Sequence, residues 1–323
     1  MGMATQDKAG GALSGFWPEA CRCWWRLPDK AFFFVLLAAW LALFQFLGNS
    51  TFGYIDTPSL LRWMYNAYNN PSAAADDGHG NLIPFVVLAL FWWKRKELLA
   101  ARFQTWWPGL LLVGVALALH VAGYVTQQPR ISIVALFAGI YGLMGLAWGP
   151  HWLRASFFPF FLFVFCVPFG SLAEPVTFPL RLLVSKIVTA LSQAGLGIDV
   201  IRDGTRLINP EGRFEYDIAP ACSGIRSLVA TVAIATIYAF MNFRRNWQRA
   251  VLIASALPLA VVSNVLRMQA IVIAAELRGQ AAGAYVHESA VLSLLPYVVG
   301  IGGLLLLGRW LEGAQNGKAR AVS

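Results

Sequence analysis

Eight stretches of the chain are almost continuously apolar: 31–48, 81–93, 106–124, 131–149, 156–172, 224–242, 250–276 and 289–308. A hydrocarbon core of about 30 Å takes ~20 apolar residues in a helix. The pattern therefore predicts eight membrane helices. The second run is short and carries Pro84, which a membrane helix tolerates when its neighbours re-satisfy the freed backbone groups. The stretch 176–195 mixes Arg181 and Lys186 with apolar residues and reads as an amphipathic helix at the interface. The longest polar piece is 173–223. Its second half has turn signals at Asp203-Gly204 and at Asn209-Pro210-Glu211-Gly212, with short runs at 205–208 and 213–218. That spacing predicts a small β-hairpin, which leads directly into Pro220-Ala221-Cys222. The expected fold is an all-α polytopic membrane bundle of about eight helices with a small outer hairpin. It comprises a tail at 1–30, a membrane-embedded domain at 31–308 and a second tail at 309–323.

Composition agrees and excludes the main alternatives. Apolar residues make up 58% of the 323 positions and charged residues 13%, against roughly 45–50% and ~25% in soluble domains. Such a chain lacks the polar surface to cover a soluble globule. Its 22 Phe and 13 Trp are equally incompatible with intrinsic disorder. The net charge is +9, which in a soluble protein would raise nucleic acid as a partner. In a bilayer protein it serves topology, and no nucleic acid is expected. With the N-terminus inside, the inner segments carry 15 Lys and Arg in 70 residues and the outer segments 8 in 101. The positive-inside rule thus places both termini in the cytoplasm. The clusters Lys94-Arg95-Lys96 and Arg244-Arg245 carry most of that asymmetry. The first run ends in Phe44-Gln45-Phe46-Leu47 without a small-residue cleavage site, so it reads as an uncleaved anchor.

Four cysteines are present. Cys21 and Cys23 fall in the inner tail, Cys166 within a span, and Cys222 at the outer end of the sixth span. Cys222 is thus a lone thiol facing the oxidising side, the kind of leftover cysteine that marks either a small core residue or a reactive group. Two arginines interrupt apolar spans, Arg226 and Arg267, and Asn264 lies three residues before the second. An arginine at a membrane helix centre costs at least about 2.5–3.5 kcal/mol on insertion scales and usually faces a site or pathway; near the interface it snorkels instead. The i, i+3 spacing puts Asn264 and Arg267 on nearly one face, which reads as a polar pocket. His79 and His287 fall in outer segments. A zinc protease needs His-Glu-x-x-His, but His287-Glu288 is followed by Val291. No metal and no organic cofactor are expected. Cys222, Arg267 and His287 close three consecutive outer ends, and short connections make such helices neighbours. A thiolate nucleophile needs an adjacent base or cation, and acyl transfer needs a donor for the developing oxyanion. Those three residues supply the roles.

Ala221-Cys222-Ser223-Gly224-Ile225-Arg226-Ser227-Leu228, followed by Leu257-Pro258, Ser263-Asn264-Val265-Leu266-Arg267 and His287, resembles the exosortase/archaeosortase family. Residues 204–208 and 215–218 are similar to the family's outer hairpin, and His79-Gly80 to a recurring element before its second span. The resemblance runs over roughly 30–308, with the sharp motifs in 204–287. It departs from the family at Glu288-Ser289-Ala290-Val291, where a glycine is expected soon after the histidine.

The resemblance implies a cysteine transpeptidase or protease of the bacterial inner membrane, active at the periplasmic face. Its substrates are exported proteins with a C-terminal sorting signal: a short motif, often Pro-Glu-Pro, then a hydrophobic helix and a basic tail. Such systems are often tied to exopolysaccharide production. The implied catalytic residues are Cys222, Arg267 and His287, with Arg226, Asn264, Ser223 and His79 around them. The rival reading is a transporter or assembly subunit for an envelope polysaccharide, whose anionic path would also use intramembrane arginines but has no need of a thiol.

Overall fold

The computed structural model describes residues 6–70, 77–169, 174–217, 225–289 and 294–320. Over these the chain is mostly helical. In order come α1 (Gln6–Arg26), α2 (Lys30–Phe46), α3 (Leu60–Asn69), α4 (Ile83–Trp93), α5 (Arg95–Ala100), α6 (Gly109–Val125), α7 (Pro129–Trp148) and α8 (Pro150–Phe161). After α9 (Glu174–Ala190) follow three short strands, β1 (Ile201–Asp203), β2 (Arg206–Ile208) and β3 (Glu215–Asp217). The chain ends in α10 (Ile225–Asn242), α11 (Asn246–Arg278), α12 (Gln280–Glu288) and α13 (Leu295–Arg320).

Each of the eight apolar runs falls on a helix, with shifted boundaries. The run at 156–172 belongs to a helix that starts earlier, at Pro150, and closes in a 3-10 turn, Leu162–Cys166. Proline at the first helical position has no N–H to lose there, and its fixed φ suits the helix. By length and composition, α7 and α11 are able to cross a membrane, and α1 with α2 make a third candidate bent by 91°. Among the described residues α4, α6 and the stretch Leu228–Asn242 are apolar but shorter. The segment read as an interfacial helix does form one, α9, but it is built into the protein: Thr177, Arg181, Val184, Ser185 and Val188 are all buried. The hairpin is one strand larger than its turn signals announce, since the antiparallel sheet runs β1-β2-β3.

The chain divides into two compact units. The first, Met1–Tyr68 with Gly80–Pro168, is built around α6 and α7, with α2 packed on α7. His120 belongs to this core. Its ring nitrogens lie 3.1 Å from Ser132 Oγ and 3.2 Å from the Leu47 carbonyl, so it is a satisfied structural histidine. Cys166 is also buried here. The second unit is Asn69–His79 with Phe169–Ser323, and α11 is its spine. One end of α11 packs with α10 and α13 through Leu252, Ala256, Ala235, Ala239, Leu304 and Leu311. The other end packs with α9 and the sheet: Val265, Met268, Ile271 and Val272 close on Val184, Val188, Leu207 and Phe214. Leu207 and Phe214 are almost wholly enclosed, each worth about 1.5–3 kcal/mol of apolar burial. That is how a three-strand sheet, too small to stand alone, acquires a fixed seat.

Candidate active site

Three elements that carry the expected site residues follow one another in the second unit. α10 begins three residues after Cys222, α11 carries Asn264 and Arg267, and α12 carries His287. Cys222 and Ser223 lie outside the described residues, as do the side chains of Arg226 and His287. Asn264 and Arg267 are described. Asn264 is buried, and among the described residues its amide Nδ2 has no hydrogen-bond partner. It is the polar group in a cavity of about 10 Å³ otherwise walled by Leu180 and Val184 of α9, Leu228 of α10, and Leu257, Ala260 and Val261 of α11. A cavity of that size holds about one water, and leaving a buried amide donor unmet costs about 1–3 kcal/mol. That donor lies at the junction of α9, α10 and α11. Arg267 is half-buried at the edge of the same helix face, about 60° around from Asn264 at 3.6 residues per turn. Two residues on, Gln269 Nε2 donates to Ser192 Oγ at 2.9 Å, which ties this stretch of α11 to the end of the α9 segment.

α12 returns along α11. The chain reverses at Gly279, and a Cβ built on Gly283 would sit 3.0 Å from Ala275 Cβ. Val286 packs against the cluster containing Val265, Met268 and Val272. The backbone of His287 is therefore carried back along α11 toward the level of Arg267.

The sheet is fastened to both helices at two points that no local pattern pairs. The first is Asn209, which is buried. Its Oδ1 accepts from the backbone N–H groups of Glu211 (2.9 Å) and Arg213 (3.4 Å), holding the β2–β3 loop closed. Its Nδ2 donates to Asp199 O (3.2 Å) and Glu276 Oε2 (3.4 Å). Arg213 pairs with the other oxygen of Glu276. Both partners of that ion pair are partly exposed, so it contributes at most about 1 kcal/mol; its value is in fixing the loop on the last turns of α11. The second point is Tyr216. Its hydroxyl donates to Gln280 O at 2.6 Å, and its ring lies so close to Gly283 that any Cβ there would collide with the phenol oxygen. Burial raises the Tyr216 hydroxyl above its ordinary value of 10.0, while the backbone at Ala284, bonded to the same oxygen, pulls it down. A raised folded-state value means the neutral phenol is favoured in the fold. Its contribution is complete below about 10 and is lost only as pH rises through the shifted value. Only five residues separate Tyr216 from Cys222, so this seat sets where the chain leaves the sheet for the cysteine.

Replacing Gly283 by leucine should unseat Tyr216, an overpacking cost of about 1–3 kcal/mol. Tyr216→Phe should cost about 1 kcal/mol, the worth of one hydrogen bond. We expect Gly283→Leu to expose Arg213 to trypsin in membranes and to reduce activity much more than Tyr216→Phe does. Unchanged nicking at Arg213 in the leucine variant would show that the seat does not hold the loop.

His79 lies in the short 3-10 turn Gly78–Asn81 and is half-buried. The neighbouring Asp77 Oδ1 accepts a hydrogen bond from Phe169 N at 3.1 Å, which anchors this turn to the segment that leads toward α9. Cys21, Cys23 and Cys166 are free thiols, and none belongs to the second unit. No curated protein and no solved structure matches the chain. Residues 71–305, which span α4 through the first part of α13 and include Cys222, Asn264, Arg267 and His287, match the family model described as transmembrane exosortase. The chain is a membrane protein of the transmembrane exosortase family.

Proposed function

We propose that the protein is a membrane-embedded cysteine transpeptidase or protease. It cleaves the C-terminal sorting signal of exported proteins at the outer face of the inner membrane. The observation that carries this reading is that the family match encloses Cys222, Arg267 and His287; α10 begins three residues after the first, α11 and α12 carry the other two, and the three helices pack in one compact unit. The substrate's hydrophobic helix enters the bundle from the bilayer, with its motif, of the Pro-Glu-Pro kind, at the outer surface and its basic tail at the inner one. The Cys222 thiolate attacks the peptide carbonyl carbon, and the carbonyl electrons move onto oxygen. Arg267 holds that oxyanion, and Arg226 and Asn264 orient the groups around it. Collapse of the intermediate breaks the C–N bond, His287 delivers a proton to the leaving amine, and a thioester remains on Cys222. An acceptor amine, or water, then attacks the thioester and restores the thiol. No metal or organic cofactor takes part in this scheme.

Helix lengths support the orientation. At 1.5 Å per residue the 33 residues of α11 extend about 50 Å, some 20 Å more than a hydrocarbon core of about 30 Å. If Arg245 and Arg249 rest at the inner surface, Arg267 comes at the outer boundary and the rest of α11 projects beyond it with the charged sheet. Reporter fusions after Lys96 and Arg245 should read cytoplasmic and a fusion after Gly212 external, as eight spans with both termini inside require. In a variant with Cys21, Cys23 and Cys166 replaced, a thiol reagent unable to cross the inner membrane should label Cys222 from outside, and a tailed substrate should protect it. A cytoplasmic readout after Gly212, or labelling only after the membrane is opened, overturns this orientation and the periplasmic active site with it.

A further inference from the structure

A second polar site lies in the first unit. A cavity of about 400 Å³ opens between α1 and α5. Four cationic side chains line it, Arg22, Arg26, Arg95 and Lys96, with one carboxylate, Glu19. Glu19 is engaged by Arg95, whose Nη2 lies 2.8 Å and Nε 2.9 Å from Glu19 Oε1. Arg95 is further fixed by Trp92: its guanidinium lies 4.4 Å from the ring centroid and Nη1 donates to Trp92 O at 2.9 Å. Among the described residues Arg22, Arg26 and Lys96 form no ion pair. A concave site has thus gathered like charges that repel one another and are only partly compensated. A bound anion would relieve that repulsion.

The setting selects the kind of anion. α1 meets α2 at 91°, so when α2 crosses the bilayer α1 lies along its surface. Trp17, Trp24 and Trp25 of α1 are exposed, while Phe16 packs on Trp92 with ring centroids 4.6 Å apart. Exposed tryptophans beside arginines are the composition of a helix lying in the headgroup layer. Lys30, at the bend, stacks its ammonium over Trp25 at 4.7 Å. Basic pockets at the cytoplasmic ends of membrane helices take anionic headgroups, and guanidinium forks match phosphate oxygens in pairs. We propose that this cleft binds the phosphate headgroup of an anionic phospholipid of the inner leaflet, and that the bound lipid pins α1 across the base of α2. The site is independent of the peptidase reading.

The test uses the full-length protein purified in a neutral detergent. Wild type should retain phosphatidylglycerol in native mass spectra and gain several degrees of thermal stability when micelles contain phosphatidylglycerol instead of phosphatidylcholine. The double variant Arg22→Gln/Lys96→Gln should lose most of both effects. Millimolar orthophosphate should neither stabilise the wild type nor displace the lipid. Equal retention in the double variant, equal stabilisation by phosphatidylcholine, or full displacement by orthophosphate would each overturn the proposal. If the double variant fails to accumulate, the single change Arg26→Gln decides: it must lower retention, and unchanged retention refutes the site.

Discussion

Cys222→Ala and Cys222→Ser should each abolish maturation of a substrate that ends in a short motif, a hydrophobic helix and a basic tail, and the full-length precursor should accumulate in the membrane. Removing a nucleophile that works as a unit with its base costs on the order of 10⁶ in turnover, so residual processing should fall below detection. Serine fails for a chemical reason. Its hydroxyl is close in size to a thiol, but it needs a base tuned to deprotonate it, whereas cysteine attacks as the thiolate that a nearby cation or helix N-terminus favours. Cys222 has both within its sequence neighbourhood, since α10 begins three residues later and Arg226 is its second residue. The other thiols lie outside the second unit, which carries the motif residues. Cys21 and Cys23 belong to α1 and Cys166 is enclosed in the apolar core of the first unit, so a variant lacking all three should process normally. Precursor and product on an immunoblot, at matched enzyme levels, give the answer. Wild-type maturation by Cys222→Ala would end the transpeptidase reading and leave the intramembrane arginines to a polysaccharide transport path.

The parts of this protein that were legible in its sequence are those set by local pattern. Each apolar run became a helix because a bilayer chain must satisfy its backbone within the segment. The turn at Asp203-Gly204 was legible because a two-residue hairpin loop calls for a positive φ, and Gly204 has φ +59 with Asp203 paired to Arg206. β1 was not legible: its three residues are exposed and show no alternation of burial, so only pairing with β2 makes it a strand. α12 was hidden for a similar reason. Gln280–Glu288 is nine residues long, too short for a span signal, and it is held by its packing on α11. On α9 the apolar residues around Arg181 announced the helix, but not that Arg181 itself is buried while Phe178 and Leu183 are exposed. The motif residues Asn264 and Arg267 stood out as polar groups in an apolar run. Their supports did not: Asn209 and Arg213 lie 67 and 63 positions from Glu276, and Tyr216 lies 64 from Gln280. Partial charges so far apart in sequence carry no periodic signal, and only the fold pairs them.

Arg267→Lys should lose most processing while the protein still inserts at the normal level. The reason lies in what the position demands. At the outer boundary water is close and the charge alone costs little, so what the position demands is geometry: Arg267 is half-buried, three residues along α11 from the buried Asn264. If charge alone were needed, lysine would serve. An oxyanion that develops during attack needs donors fixed in place before it forms. The planar guanidinium presents them in a rigid fork, whereas an ammonium on a four-carbon stem must be ordered each time. The two roles open to Arg267 separate by experiment. If it favours the thiolate, Arg267→Gln should slow labelling of Cys222 by an external thiol reagent at neutral pH, and Arg267→Lys should restore much of that rate because the charge returns. If it holds the oxyanion, lysine should leave labelling near wild type while processing stays low, since the defect then appears only in the transition state. Full processing by the lysine variant, with labelling unchanged, would mean that Arg267 only packs or snorkels, and the donor for the oxyanion would have to be sought at Asn264.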